Sequence, residues 1–235
     1  MAIAVPTGLG SASSSAHGTP AITFNTGAAV TAGGIVFVVV SYFKNGGTKT
    51  PSGITINGNA MTQDRRNTNG NDLLDVWFYR SAAGLSSGVA CTATWADTVG
   101  MGGRLIAACF TTGVITTGSS EAGNTATGTG TGWASGNATN VTSEAIYIGG
   151  TGTETATNPT TSTATAGTEL YDLYLAADQQ GMVVHYRIET TIASRNLAGT
   201  LSATSTANTG AVAVYGADTP AAATAKQLAA LGVGT

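Results

Sequence analysis

Short segments in which apolar and polar residues alternate recur along the chain, and one order of segments occurs twice, roughly 110 residues apart. The first copy consists of VTAGGIVFVVVSYF (30–43), LLDVWFYR (73–80), GVACTATW (88–95) and GRLIAACF (103–110). The second consists of VTSEAIYIGG (141–150), MVVHYRIE (182–189), GTLSATST (199–206) and GAVAVYG (210–216). Gly, Asn, Ser and Thr bound the segments, and alternation with period two predicts β-strands.

The doubled pattern predicts an all-β fold: an antiparallel β-sandwich of about ten strands, built from two pseudo-repeated halves. Each half offers about five strands, and a single open sheet of that size leaves one face uncovered. We therefore expect the halves to pack face to face. Alternation in 73–80 places Leu74, Val76 and Phe78 on one apolar face, and we expect these side chains and Val183 to be buried.

Three segments are predicted along the chain. Residues 1–20 are small and polar without a period and indicate an N-terminal arm, residues 21–216 the β-sandwich domain, and residues 217–235 a C-terminal tail with a short helix at 221–231. Residues 113–140 consist almost wholly of Gly, Thr, Ser, Ala and Asn. They form either a linker between two domains or, as we favour, a crossover loop or weak edge strand within one sandwich.

Charge is sparse, at 9% of residues against about 25% in ordinary globular domains. We infer that much of the surface is covered by other copies or by a larger assembly; a well-hydrated monomer is the alternative. A net charge of −3 without a basic cluster argues against nucleic acid. The apolar run from Ile35 to Val40 is too short to span a membrane. The N-terminus lacks a secretory signal, which predicts synthesis and retention in the cytoplasm.

The residues of acid–base catalysis form no recognisable motif, so we predict that the protein is not an enzyme. The two histidines are His17, in the predicted arm, and His185, which is expected to be half-buried in a strand. No GxSxG nucleophile motif accompanies them. Glycosidases need two facing carboxylates, and no spacing argues for such a pair. The acids that might meet in space are Glu169 with Asp172 and Asp64 with Asp72.

The chain also offers no strong metal or cofactor motif, and we predict neither. Cys91 and Cys109 lie in apolar strands and are expected to be buried free thiols, with a disulfide as the alternative. Residues 67–72 carry alternating oxygen side chains but lack the full calcium-loop pattern, so a hairpin turn is favoured. Asn137 and Asn140 begin glycosylation motifs of a kind that arises by chance in a Thr-rich chain.

The run GGIVFVVVSYF, ITINGNAMTQ, LLDVWFYR, GVACTATW and RLIAACFTTGV resembles a jelly-roll-like β-sandwich module of tailed-phage virion structural proteins. The resemblance covers roughly residues 21–216, and the chain departs from it at Met61, where an aromatic residue often stands. It implies a virion surface protein of the capsid decoration or head-fibre type. A receptor- or carbohydrate-binding module of a tail fibre or adhesin is the alternative.

We therefore expect a virion protein, made in the host cytoplasm without a signal peptide. Its expected partners are itself, as a homotrimer, and the major capsid protein, with a carbohydrate ligand left open. Apolar residues in the two tails have no core of their own and fit shallow grooves on a neighbour. The predicted assembly contacts in the tails are Ile3, Val5, Leu9, Leu228, Leu231 and Val233. Trp133 is added to them, because core or inter-subunit packing is favoured for it over ligand binding.

Overall fold

The longest apolar run of the chain forms the middle strand of a sheet that is covered on both faces. The computed structural model describes residues 2–15, 20–44, 49–96, 101–114, 120–155 and 161–218. The strands of the first half are β1 (Thr7–Ser14), β2 (Ala21–Asn25), β3 (Gly34–Lys44), β4 (Pro51–Ile56), β5 (Asn59–Ala60), β6 (Thr62–Asn69), β7 (Asp72–Ser81), β8 (Ala90–Trp95) and β9 (Met101–Thr111). A central sheet has the order β1-β9-β3-β7-β6, and an outer sheet has the order β2-β8-β4-β5.

The second half builds a sheet of its own. Its strands are β10 (Ala122–Ala134), β11 (Ala138–Thr139), β12 (Ala145–Glu154), β13 (Thr161–Ala166), β14 (Thr168–Leu175), β15 (Gln180–Glu189), β16 (Ser194–Arg195) and β17 (Ala198–Gly216), with a 3-10 turn at Ala176–Asp178. The second-half sheet has the order β10-β17-β12-β15-β14, and β13 pairs with the first part of β17. Strands β11 and β16 form a separate two-stranded ribbon.

The five-stranded central sheet and the main five strands of the six-stranded second-half sheet repeat one topology. In the central sheet β3 lies between β9 and β7, and in the second-half sheet β12 lies between β17 and β15. The edges correspond as well, because β1 flanks β9 as β10 flanks β17, and β6 flanks β7 as β14 flanks β15. All of these pairings are antiparallel. The all-β antiparallel fold with two pseudo-repeated halves is thus confirmed.

The two halves share one apolar core between the central sheet and the second-half sheet. Leu74, Val76 and Phe78 all lie in it, as the alternation of β7 predicted. The rings of Phe37 and Tyr215 meet across the two sheets with their centroids 4.9 Å apart. Since both faces that form this core are apolar, packing them together removes both from water.

A second core fills the space between the central sheet and the outer sheet. Alternate residues of β3 supply both cores: Phe37 and Val39 face the second half, whereas Val36 and Val38 face the outer sheet. Burial on both sides explains why β3 reads as a continuous apolar run instead of an alternating one. The molecule therefore has three stacked sheets, one layer more than the predicted sandwich.

A third, smaller cluster covers the far face of the second-half sheet. Val183 is buried here, as predicted, although it faces away from the core that contains Leu74. Tyr147 and Val212 lie on the same face, and Trp133 and Leu197 cover them.

The structure differs from the prediction at the N-terminal arm. Residues 7–14 form β1, which is hydrogen-bonded to β9 with a bulge between Gly8 and Gly10. Leu9 is fully buried in the second core. The prediction failed because backbone pairing requires no run of large apolar side chains.

At the other end of the chain, the tail predicted from residue 217 begins with Ala217, which forms a β-bridge with Val114. Residues from 219 onward, including the predicted helix at 221–231, lie outside the described residues. No helix in the described part of the chain is long and apolar enough to cross a membrane.

Candidate functional site

Polar side chains of β6 connect the two halves along one edge of the shared core. Asn67 Nδ2 donates to the carbonyls of Ala126 and Gly210, at 2.7 and 2.8 Å. Asn69 Nδ2 makes the same kind of contact with Gly128 and Asn208. Residues 67–72 form the β-hairpin between β6 and β7, as we favoured over a calcium loop. Two side chains of this hairpin, Asn67 and Asn69, hold the second half.

Asp64 and Asp72, one of the two pairs of acids that might have met in space, lie near opposite ends of the β6–β7 hairpin. Asp64 accepts hydrogen bonds from Tyr215 and from Ser120, and pairs with Arg65 at 2.6 Å. Asp72 begins β7, opposite Asn69, near the other end of the β6–β7 hairpin. Asp64 is thus committed to holding the halves together, and the two carboxylates do not face one cleft.

Two further acids are held in ion pairs with arginine. The Arg66 guanidinium binds both oxygens of Asp75, each at 2.7 Å, and Asp75 is fully buried. Glu189 accepts from Arg187 and Arg195. In both arrangements the carboxylate oxygens accept charge-assisted hydrogen bonds from arginine, and these bonds stabilise the fold.

His185 is fully buried, more deeply than the half-buried position that the sequence predicted. Its ring meets that of Trp133 edge-on, with centroids 5.0 Å apart. Its Nε2 lies 3.8 Å from Oε2 of Glu169, beyond hydrogen-bond distance. Burial lowers the pKa of His185 to about 4, so the ring is neutral at physiological pH.

Trp133, predicted as an assembly contact, belongs to the core of its own chain. It lies near the end of β10 with 5% of its surface exposed. Beside it is a cavity of about 330 Å³, lined by Ala126–Gly128, Gly132–Ala134 and Asn208. The cavity forms where the β10–β17 register shifts twice between Gly128 and Gly132. Its lining contains no charged residue, so it is suited to small neutral molecules only.

Both cysteines are buried free thiols, as predicted. Cys91 lies in the second core and Cys109 in the shared core, on opposite faces of the central sheet. Burial raises the pKa of each thiol to about 12, which suppresses the nucleophilic thiolate. Among the described residues, no three His, Cys, Asp or Glu side chains are grouped so that they could hold a metal ion.

One end of the molecule exposes aliphatic side chains on firmly held loops. Val141 and Ile192 are 65% and 62% exposed. Between them lies Asn140, which is buried: its Nδ2 donates to the carbonyls of Thr142 and Thr191, and its Oδ1 accepts from the Ala193 N–H. Because the Asn140 amide is buried and hydrogen-bonded through both its nitrogen and its oxygen, this side chain stabilises the loops and is not accessible for glycosylation. Asn137 is exposed.

Val5 belongs to the same end and is 65% exposed. Ile3, two residues earlier, donates its backbone N–H to Glu144 at 2.8 Å, and Glu144 in turn accepts from Thr142 through its carbonyl. We call Val5, Val141 and Ile192 the aliphatic end. They are the large apolar residues that the described part of the chain exposes most.

The predicted assembly contacts are therefore distributed unevenly. Val5 is exposed and remains a candidate, whereas Ile3, Leu9 and Trp133 are covered by their own chain and are not available to a neighbour. Leu228, Leu231 and Val233 lie outside the described residues. Sequence reasoning missed Val141 and Ile192, because isolated aliphatic residues between Asn and Thr show no period that marks them as exposed.

Comparison of the chain with protein-family models, with curated proteins and with solved structures found no match.

Proposed function

We propose that the chain is a non-enzymatic structural protein that acts by assembly, as a decoration protein on the outer surface of a tailed-phage capsid. The aliphatic end carries this proposal. Three exposed aliphatic side chains on loops fixed by hydrogen bonds present apolar surface without the entropy cost of ordering a flexible segment. A contiguous exposed apolar patch is typical of a protein–protein contact, and we infer that these three side chains contribute to one.

The state of the titratable groups supports a structural role. Asp75 is neutralised by Arg66, Asp64 is held by Tyr215, and burial keeps His185 neutral. General acid–base catalysis requires a group that can exchange protons with a substrate in a cleft. These groups instead stabilise contacts between strands.

The partner that we propose for the aliphatic end is an apolar patch on the major capsid protein. Two carboxylates lie at this end: Glu121 accepts from the Val141 N–H, and Glu144 accepts from the Ile3 N–H. Both are engaged in hydrogen bonds within the chain, and we propose that burial of apolar area supplies most of the binding free energy. A homotrimer on a capsid site of matching symmetry is the form of assembly that we propose.

A carbohydrate-binding function is the alternative, and the cavity beside Trp133 is the place where such a ligand would bind. Sugar sites usually offer an open aromatic face. Trp133 is nearly buried and its ring packs against His185, so the cavity lacks such a face. This geometry favours the assembly function.

The proposal is tested by adding the protein to capsids from which decoration protein is missing and measuring occupancy by co-sedimentation. The double variant Val141→Asp/Ile192→Asp places charges in the apolar contact and should reduce affinity at least about tenfold. Ala60→Asp, at an exposed position of the outer sheet, is the matched control and should bind as the wild type. Equal binding of the double variant and the control would contradict this docking surface.

A further inference from the structure

One buried carboxylate differs from the others in having no cation beside it among the described residues, although the Gln180 amide acts on it and lowers its pKa. Asp72 is 1% exposed, and neither of its carboxylate oxygens has a hydrogen-bond partner among the described residues. It also makes no ion pair with a described residue, in contrast to Asp64 and Asp75, which contact Arg65 and Arg66. A buried carboxylate without a partner is costly when charged. Its protonation state therefore affects the stability of its surroundings.

Asp72 lies where the two halves meet, at one end of the shared core. On the second-half sheet, Gly152 approaches Ser41 and the Leu73 carbonyl so closely that a side chain would contact both. Glu154, two residues farther along β12, lies on the same face of the strand. Asp72 and Glu154 thus lie on the faces of β7 and β12 that meet in this junction, and the Glu154 charge acts on the Asp72 carboxyl.

Neutral groups occupy the rest of this junction. Gln180 is the register partner of Glu154, and its Nε2 donates to Ser41 Oγ at 2.8 Å. Ser41 Oγ donates in turn to the Gly181 carbonyl at 3.4 Å. These hydrogen bonds cross from β3 to β15 and fix the distance between the sheets around Asp72.

The charged groups on the surrounding elements do not neutralise the two acids. Arg66 on β6 binds Asp75 on the opposite face of β7, and Arg104 on β9 lies over the Trp95 ring and interacts with Asp178 of the 3-10 turn. Lys44 follows Phe43, the register partner of Asp72, and forms no ion pair with Asp72. Two carboxyls therefore face each other without a cation from the described residues.

We propose that Asp72 and Glu154 are a pH-sensitive contact between the two halves, closed while the pair holds one proton and weakened when both carboxyls are ionised. In the closed form the proton stays on Asp72, so that only one of the two carboxyls is charged. When the pH rises, the proton leaves to solvent, and two like charges remain in a junction that excludes water. Burial and the Glu154 charge raise the pKa of Asp72 to about 7, so this change falls in the neutral range.

The direction of the effect follows from proton binding. The native state binds the Asp72 proton more tightly than the unfolded chain, where the pKa has its ordinary value of 3.8. Stability due to this proton is complete below pH 3.8 and is lost as the pH rises through about 7. Asp72→Asn keeps the shape of the side chain and cannot ionise, so it mimics the closed form.

The test measures urea unfolding of the full chain and of Asp72→Asn from pH 4 to 8.5. The ratio of the wild-type unfolding constant to that of the variant should rise about tenfold per pH unit between about 4 and 7 and then level off. His185 and the other groups that do not interact with Asp72 titrate alike in both proteins and cancel in the ratio. Asp218→Asn, at an exposed position, is the control carboxyl. A ratio that stays constant over this range would overturn the proposal.

Two further measurements do not depend on the stability of the Asp72 variant. A carboxyl ¹³C NMR titration of the wild type should place the midpoint of Asp72 near pH 7, and Glu154→Gln should shift that midpoint downward. An Asp72 midpoint near pH 4 in the wild type, or one that Glu154→Gln leaves unchanged, would contradict the proposed contact between Asp72 and Glu154. Amide hydrogen exchange at Leu73 and Gly152, corrected for its intrinsic pH dependence, should become faster at pH 8 than at pH 6; equal protection would also contradict the proposal.

Discussion

Asn67 Nδ2 lies 2.8 Å from the carbonyl oxygen of Gly210, and this hydrogen bond joins the edge of the central sheet to the longest strand of the second half. Two residues farther along β6, Asn69 makes a similar hydrogen bond with the carbonyl oxygen of Asn208. The two amides thus act as backbone-like donors between sheets that share no ladder. The register of one half is thereby fixed against that of the other.

Asn67→Ala should destabilise the protein by about 1–3 kcal/mol, because the carbonyls of Ala126 and Gly210 lose a donor in a half-buried place. Asn59→Ala is the matched control, since among the described residues the Asn59 side chain donates to Ile56 and Asn57 of its own hairpin and to no residue of the second half. Urea unfolding should show the smaller loss for the control. An equal loss of unfolding free energy in the two variants would contradict a stabilising role for the Asn67 hydrogen bonds between the halves.

Gly150→Ala should prevent folding or cost more than about 4 kcal/mol. A Cβ at this position would overlap the backbone carbonyl of Val183 on β15, so the two strands would have to separate. Gly53→Ala is the control, because no atom lies within 4 Å of the site that its Cβ would occupy. Thermal unfolding and yield of soluble protein distinguish the two variants. A stable Gly150→Ala protein would contradict the strand spacing described for this sheet.

His185 should make stability depend on pH in the sense opposite to Asp72. Burial lowers the pKa of His185 from 6.5 to about 4, so the neutral ring stabilises the fold above pH 6.5. This contribution is lost as the pH falls through about 4. In the wild type the two residues oppose each other between pH 4 and 6.5, and stability should change little on their account. In His185→Gln, urea unfolding should show stability falling as the pH rises from 4 to 7. An NMR titration that places the midpoint of the His185 imidazole itself near pH 6.5 in the wild type would contradict the assignment.

Cys91 and Cys109 should not react with a thiol reagent such as DTNB at pH 8 in the native protein, because both are buried and burial raises the pKa of each thiol to about 12. Both thiols should react in urea. Rapid modification of the native protein would show that the cores on the two faces of the central sheet open more readily than their packing implies.

The alternation of apolar and polar residues along the strands predicted much of the fold. Leu74, Val76 and Phe78 lie in the shared core because residues two apart in a strand face the same side, which holds whatever the partner sheet is. The repeated order of segments likewise corresponds to two sheets with the same strand order. The pattern did not distinguish two layers from three, since GVACTATW at 88–95 alternates in the same way whether it joins the central sheet or, as β8, the outer one.

Other features depend on contacts between distant residues and were inaccessible to the sequence. β1 contains Leu9 as its one large aliphatic residue, and its place in the sheet comes from backbone hydrogen bonds to β9. Asp72 follows an Asn-Gly turn and resembles an ordinary turn residue, since its partner Glu154 belongs to the other half. Val141 and Ile192 become neighbours only because Asn140 bonds to the loop around Thr191.

Electron cryomicroscopy of phage particles purified from cells in which this chain is made tests the proposed function most directly. We predict density for the three-layered body at regular positions on the outer face of the capsid, with Val5, Val141 and Ile192 directed at the shell. Particles purified to homogeneity that contain no copy of the chain, or copies confined to the tail tip, would contradict a capsid decoration protein.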